Sequence, residues 1–161
     1  MMLAVATLDP QTGAIVDRIH LQDIEVGLEL VSELRMITAA DVAAFAELTG
    51  DHNPLHTDPS AVGEASPYDA PIAHGLLVAS ISSGQPTAAD DWALGVYLEE
   101  SRRFVAPVYA GDAIRTISIV TNVRRSRSKP DRGVITLDVR VLNQRDELVQ
   151  EGVDTVLVGS R

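Results

Sequence analysis

His74-Gly75-Leu76-Leu77-Val78-Ala79-Ser80-Ile81-Ser82-Ser83-Gly84 lies near the middle of the chain and carries no charged residue after its histidine. From Gly75 to Gly84 every residue is small or apolar. No polar stripe interrupts the run, and a helix of that kind is buried. Downstream the chain turns β-rich: Trp92–Leu98, Glu99–Val105, Asp112–Val123, Gly133–Leu142 and Leu148–Val158 each carry alternating or β-branched patterns. Turn residues separate these runs at Pro107–Gly111, Ser126–Arg132 and Asn143–Glu147. A buried helix followed by antiparallel-type strands predicts an α+β domain, a sheet wrapped around a central helix.

Upstream of that helix, Leu28–Met36 reads as a strand. Thr38 is placed as an N-cap, with Asp41 three residues on. Val42, Phe45 and Leu48 recur at helical spacing, and Gly50 sits where a helix ends. An amphipathic helix over Thr38–Thr49 therefore delivers Asp51 just past its end. Next comes Gly50-Asp51-His52-Asn53-Pro54-Leu55-His56. Asn53-Pro54 halts a helix, which predicts that Asp51 and His56 share a short stiff loop. Asp58-Pro59 predicts a second short helix, Pro59–Glu64, and Ser66–Pro71 reads as loop. Ahead of all this, Leu3–Leu8 and Ala14–Ile19 flank Asp9-Pro10-Gln11-Thr12-Gly13, the pattern of a β-hairpin. Residues 1–23 are read as an extension and 24–161 as one domain.

Composition narrows the function. The chain has 161 residues, 45% hydrophobic, enough for one domain with a real core. A formal net charge of −10 and no long basic surface argue against a nucleic-acid partner. No apolar run is long enough for a membrane span, and the first ten residues do not read as a signal peptide. There is no cysteine, so thiol catalysis, disulfides and thiolate metal sites are excluded; this fits a reducing cytoplasm.

An acid, Asp51, and an imidazole, His56, facing a helix N-terminus are the equipment for chemistry beside a carbonyl. Leu48 to His56, followed by Pro71-Ile72-Ala73-His74-Gly75 and the small-residue helix, resembles the MaoC-like, (R)-specific enoyl-CoA hydratase family. The likeness continues more weakly through Phe104–Asp112 and Ser126–Pro130 and spans roughly Ile24 to Val158. It implies a hot-dog fold and the reversible addition of water to a 2-enoyl thioester. It implies Asp51 and His56 as the pair that activates water and protonates C2. It implies Gly75 N–H as the oxyanion donor for the thioester oxygen. Asn53 is expected to hold the loop as an Asx-turn. Ser83 matches a family serine that hydrogen-bonds the catalytic acid; Ser80 and Ser82 are rivals, and all three can bond back to their own helix. His74 is expected to be a structural hydrogen-bonding residue. The resemblance implies a homodimer or higher homo-oligomer with sites at the interface. It implies no metal or redox cofactor, with coenzyme A or a carrier pantetheine arriving as part of the substrate.

Other readings stay open beside this one. The scaffold suits a non-catalytic acyl-thioester-binding subunit of a heteromeric dehydratase, or a dehydratase for a branched or carrier-bound acyl group. A His-x-x-x-His zinc site at His52 and His56 is disfavoured because Pro54 falls between them. Arg124, Arg125, Arg127, Lys129 and Arg132 form a basic cluster that suits either coenzyme A phosphates or solvent.

Overall fold

The computed structural model describes residues 7–8, 15–16, 18–62 and 66–161. Strands β1 (Thr7–Leu8) and β2 (Ile15–Val16) pair antiparallel with each other. The turn expected between them, and residues 63–65 at the end of the helix expected over Pro59–Glu64, lie outside the described residues. Of that helix, Pro59–Ala61 is one 3₁₀ turn capped by Asp58.

The main sheet has six strands: β3 (Glu29–Val31), β4 (Arg35–Met36), β5 (Val96–Phe104), β6 (Ala113–Arg125), β7 (Arg132–Asn143) and β8 (Leu148–Gly159). Their order is β3-β6-β7-β8-β5, with β4 also on β6, and these strand pairs are all antiparallel. Three helices join them: α1 (Ala39–Thr49), α2 (Pro54–Thr57) and α3 (Gly75–Ser83). The expected α+β class is the one observed, with α3 packed on the sheet through Leu77, Val78 and Ala79. Burial of α3 is one-sided, however. The sheet covers only one face, and Leu76 on the other is 64% exposed.

The strand expected over Leu28–Met36 is broken at residues 32–34. There the Ser32 hydroxyl accepts the Thr116 N–H at 2.9 Å, a role a ladder carbonyl would otherwise fill. Gln85 closes the gap by donating to Glu33 O and Ile114 O, while its own oxygen accepts from Thr116 Oγ1. Trp92–Leu98 and Glu99–Val105 are not two strands. No turn residue separates Leu98 from Glu99, and one strand, β5, absorbs the break in pattern as a register shift between Tyr97 and Glu99. Trp92 lies before β5, buried, and bridges Ile19.

The capping box expected for α1 is present: Asp41 N–H bonds Thr38 Oγ1 at 3.0 Å, and Thr38 N–H bonds the Asp41 carboxylate at 2.8 Å. Those bonds from Thr38 hold the Asp41 carboxyl below the usual carboxylate range. The buried face of α1 is Val42 and Ala46, with Phe45 packed beside them. Leu48, predicted on that face, is 82% exposed, because the side toward the sheet follows the i, i+4 step from Val42 to Ala46.

The interior forms two apolar clusters along the strands. One joins Ile37, Val42 and Val108 to α3 and to Ile114, Val141 and Val149. The other joins Leu21, Ile24 and Trp92 to Val120, Ile135 and Val158. Leu21, placed in the extension by the sequence reading, is thus part of the core.

Candidate functional site

Gly50 ends α1 at φ 76°, a left-handed conformation that costs glycine little. The chain reverses there, and Asp51 follows at once. Asp51 Oδ1 accepts the Asn53 N–H at 3.2 Å, and Asn53 Oδ1 accepts the Leu55 N–H at 3.0 Å. Asn53 thereby caps α2, with Pro54 at its first position. This corrects the expectation that His56 lies on a loop. A proline that breaks a helix interior is tolerated at the first turn, so His56 sits on a single helical turn.

Two histidines meet behind Asp51. The rings of His56 and His74 stack with centroids 3.9 Å apart. His56 Nδ1 lies 2.8 Å from Ile72 O, and His74 Nε2 lies 2.9 Å from Asp51 O. A carbonyl only accepts, so each of these nitrogens carries the proton. In the neutral ring that leaves His56 Nε2 as a lone pair. His74 is buried, and its Nδ1 has no partner among the described residues. One donor atom from each of Asp51, His56 and His74 lies within 4.8 Å of the others. Such a trio can share a water molecule or hold a cation. His52, the other half of the sequence-level zinc pattern, is not in it; its Nε2 lies 3.8 Å from Glu47 on the surface.

Gly75 opens α3 with no side chain capping that end. Its N–H finds no acceptor among the described residues. A Cβ added at Gly75 would sit 3.0 Å from the Phe104 ring on β5, close enough that the ring would have to give way to admit a side chain. A cavity of about 240 Å³ is lined by His56, Tyr68, Gly75, Val78, Phe104 and Gln150 among others. The fold thus brings Asp51, His56, His74 and Gly75 to one end of α3.

Gln150 was missed by sequence reasoning. It is 2% exposed on β8, and its Nε2 donates to Gly75 O at 2.8 Å. The only available signal was an amide within the apolar run that opens β8.

Two expectations place residues elsewhere. Ser83 does not reach Asp51 within the chain: eight residues along a helix is roughly 12 Å, which puts it at the far end of α3. Its hydroxyl donates to Ala79 O at 3.0 Å and to Glu100 at 3.3 Å. It borders a charged group on β5 and β8, where buried Asp154 pairs with Arg102. Burial, reinforced by the Asp154 carboxylate, pushes the nearby Tyr97 phenol up. The basic cluster lies at the β6–β7 turn, roughly 30 Å along β6 from Thr116 on strand geometry. That distance separates it from the site of its own chain.

Residues 25–141 match the family model described as MaoC like domain. An (R)-specific enoyl-CoA hydratase of Aeromonas caviae is 37% identical over 131 residues, covering 81% of this chain and 92% of that protein. The crystal structure of a MaoC-like dehydratase from Rhodospirillum rubrum superposes with a TM-score of 0.78 at 28% identity, covering 89% of this chain and 98% of that one. A Mycobacterium tuberculosis protein described as a double hot-dog fold superposes with a TM-score of 0.74 at 20% identity, covering 89% of this chain and 45% of that one, and speaks to the fold alone. The chain belongs to the MaoC-like domain family and has the hot-dog fold.

Proposed function

We propose that this protein is an (R)-specific 2-enoyl-thioester hydratase, working equally as a 3-hydroxyacyl-thioester dehydratase, since an enzyme sets no equilibrium. The observation that carries the reading is the His56 tautomer. Nδ1–H is committed to Ile72 O, which leaves Nε2 as the base of a ring that clusters with Asp51 and lines one cavity with Gly75. His56 and Asp51 share a water. The pair takes one proton from the water as the oxygen adds to C3 and returns one proton to C2, so that its own protonation is unchanged at the end of the step. Negative charge passes to the thioester oxygen, which the open Gly75 N–H at the α3 N-terminus receives. His74 braces the site by holding Asp51 O and stacking on His56. The family relatives named as hydratase and dehydratase support the reaction class and the (R) sense. Coenzyme A or a carrier pantetheine comes with the substrate.

Loss of the enoyl-thioester absorbance on adding crotonyl-CoA tests this. Asp51→Asn and His56→Ala should each lower turnover by about 10² or more. Wild-type rates in both variants would sink the dyad. The reaction uses no metal, so dialysis against a chelator should leave the rate unchanged. A loss restored by a divalent ion would instead put a cation between Asp51, His56 and His74.

The working unit is a homodimer. β5 is an edge strand whose Val96, Tyr97, Leu98 and Phe104 are all about half exposed, and long apolar edges are rarely left bare. Leu98→Lys should shift the sedimentation-equilibrium mass toward the monomer; a monomeric wild type would refute the dimer. The absence of cysteine supports a cytoplasmic location.

A further inference from the structure

Gln150 has a role that the water-adding pair does not explain. Its side chain lines the same cavity as His56 and Gly75, and the residue is 2% exposed. Its Nε2 is held by Gly75 O at 2.8 Å. A carbonyl takes only a donor, so this bond sets which way the amide points and presents Oε1 as a fixed acceptor. Oε1 is buried and has no hydrogen-bond partner among the described residues. A buried acceptor without a donor is unfavourable, and most such groups in folded proteins are paired. The missing donor is therefore expected to arrive with the ligand.

The chemistry of the ligand narrows the donor. This step rests on the thioester reading above. A 2-enoyl thioester has no donor on its acyl side, since its carbonyl oxygen and sulfur only accept. Apart from the reacting water held by Asp51 and His56, two donors lie close to the thioester carbon: the 3-hydroxyl of the hydrated form, and the first amide N–H of the pantetheine arm. The 3-hydroxyl is the reacting group, already served by Asp51 and His56. The amide N–H is left for Gln150. We infer that Gln150 Oε1 accepts a hydrogen bond from the first amide N–H of the substrate's thiol arm, making Gln150 a specificity-determining residue for pantetheine-type thioesters.

A pair of ligands that differ by one group tests this without turnover. S-butyryl-N-acetylcysteamine carries the amide. In its ester analogue, S-butyryl-2-acetoxyethanethiol, an oxygen replaces the N–H. Both are saturated, so neither is hydrated. By calorimetry the wild type should bind the amide about tenfold more tightly than the ester. Gln150→Met, of similar length, should bring the ratio close to one. Loss of the Nε2 bond to Gly75 affects both ligands alike and cancels in the ratio. Equal wild-type affinities overturn the proposal, and so does a ratio that survives in Gln150→Met, which would leave Gln150 only a prop for α3. A Gln150-dependent preference for 3-hydroxybutyryl over butyryl thioesters, with no amide preference, also overturns it and assigns Oε1 to the hydroxyl. If Gln150→Met does not fold, the wild-type ratio alone decides. Inert crotonyl-CoA with the amide preference intact would refute the hydratase reading and leave this one standing.

Discussion

The two ends of the sheet are built from the same kinds of residue and do different work. At one end Leu21, Ile24 and Trp92 close over Val120, Ile135 and Val158, and buried Asp154, the cross-strand partner on β8 of Leu137 in that cluster, is matched by Arg102. At the other end Ile37, Val42 and Val108 meet α3, Ile114, Val141 and Val149. Beside this second cluster lie buried His74 and Gln150, and each keeps one polar atom without a partner. An end that only stabilises the fold has no reason to keep such atoms, since each costs about 1–3 kcal/mol. On the reading proposed above, the end carrying the site keeps them for a ligand to meet. Among the described residues two further buried atoms lack a partner, Arg102 Nε and Arg115 Nε, but both belong to guanidiniums already ion-paired with Asp154 and Asp146, whereas Gln150 Oε1 belongs to a neutral side chain lining the cavity.

Three substitutions break or sharpen this contrast, taken from the largest effect down. His56→Ala, at the working end, should cut turnover by about 10² to 10⁴ while shifting the unfolding free energy by only about 1 kcal/mol. Parallel kinetics and urea titration would show the split; a stability loss as large as the kinetic one would erase it. Trp92→Ala, at the structural end, should reverse the pattern and cost about 3–5 kcal/mol of stability. Turnover per folded molecule should stay near wild type, and a fall like that of His56→Ala would mean the two ends are not separate. Thr38→Ala is smaller, about 1 kcal/mol, and separates fold from chemistry within the working end itself. The folded Asp41 carboxyl is held low, so its contribution is present above the unfolded carboxylate pKa and is lost as pH falls through the folded one. The Thr38→Ala deficit, followed by thermal melts, should therefore narrow in strong acid. A deficit constant with pH would disconnect Thr38 from Asp41.

Much of the site was legible because its signals are local. Thr38 and Asp41 cap α1 from within four residues, and Gly50 turns the chain where a left-handed residue is needed. Asp51 and His56 share one short segment. Pro54 breaks a helix interior, but after Asn53 it stands at a helix start, a distinction that depends on the cap. Spacing alone points Leu48 inward, and the sheet covers the neighbouring face instead.

By itself, then, the sequence determined the α+β class, the span of α1, the small-residue helix α3 and the pairing of an acid with an imidazole ahead of it. These depend on side chains within a few residues of each other, where capping, backbone φ and periodicity act. The remaining features depend on contacts distant in sequence. Ile72 sets the His56 proton, the Phe104 ring crowds position 75, and Gln150 grips the first turn of α3 from seventy-five residues away. Ser83 and the basic cluster went elsewhere for the same reason. Which distant groups touch is settled by the packing of sheet on helix, and no local pattern encodes it.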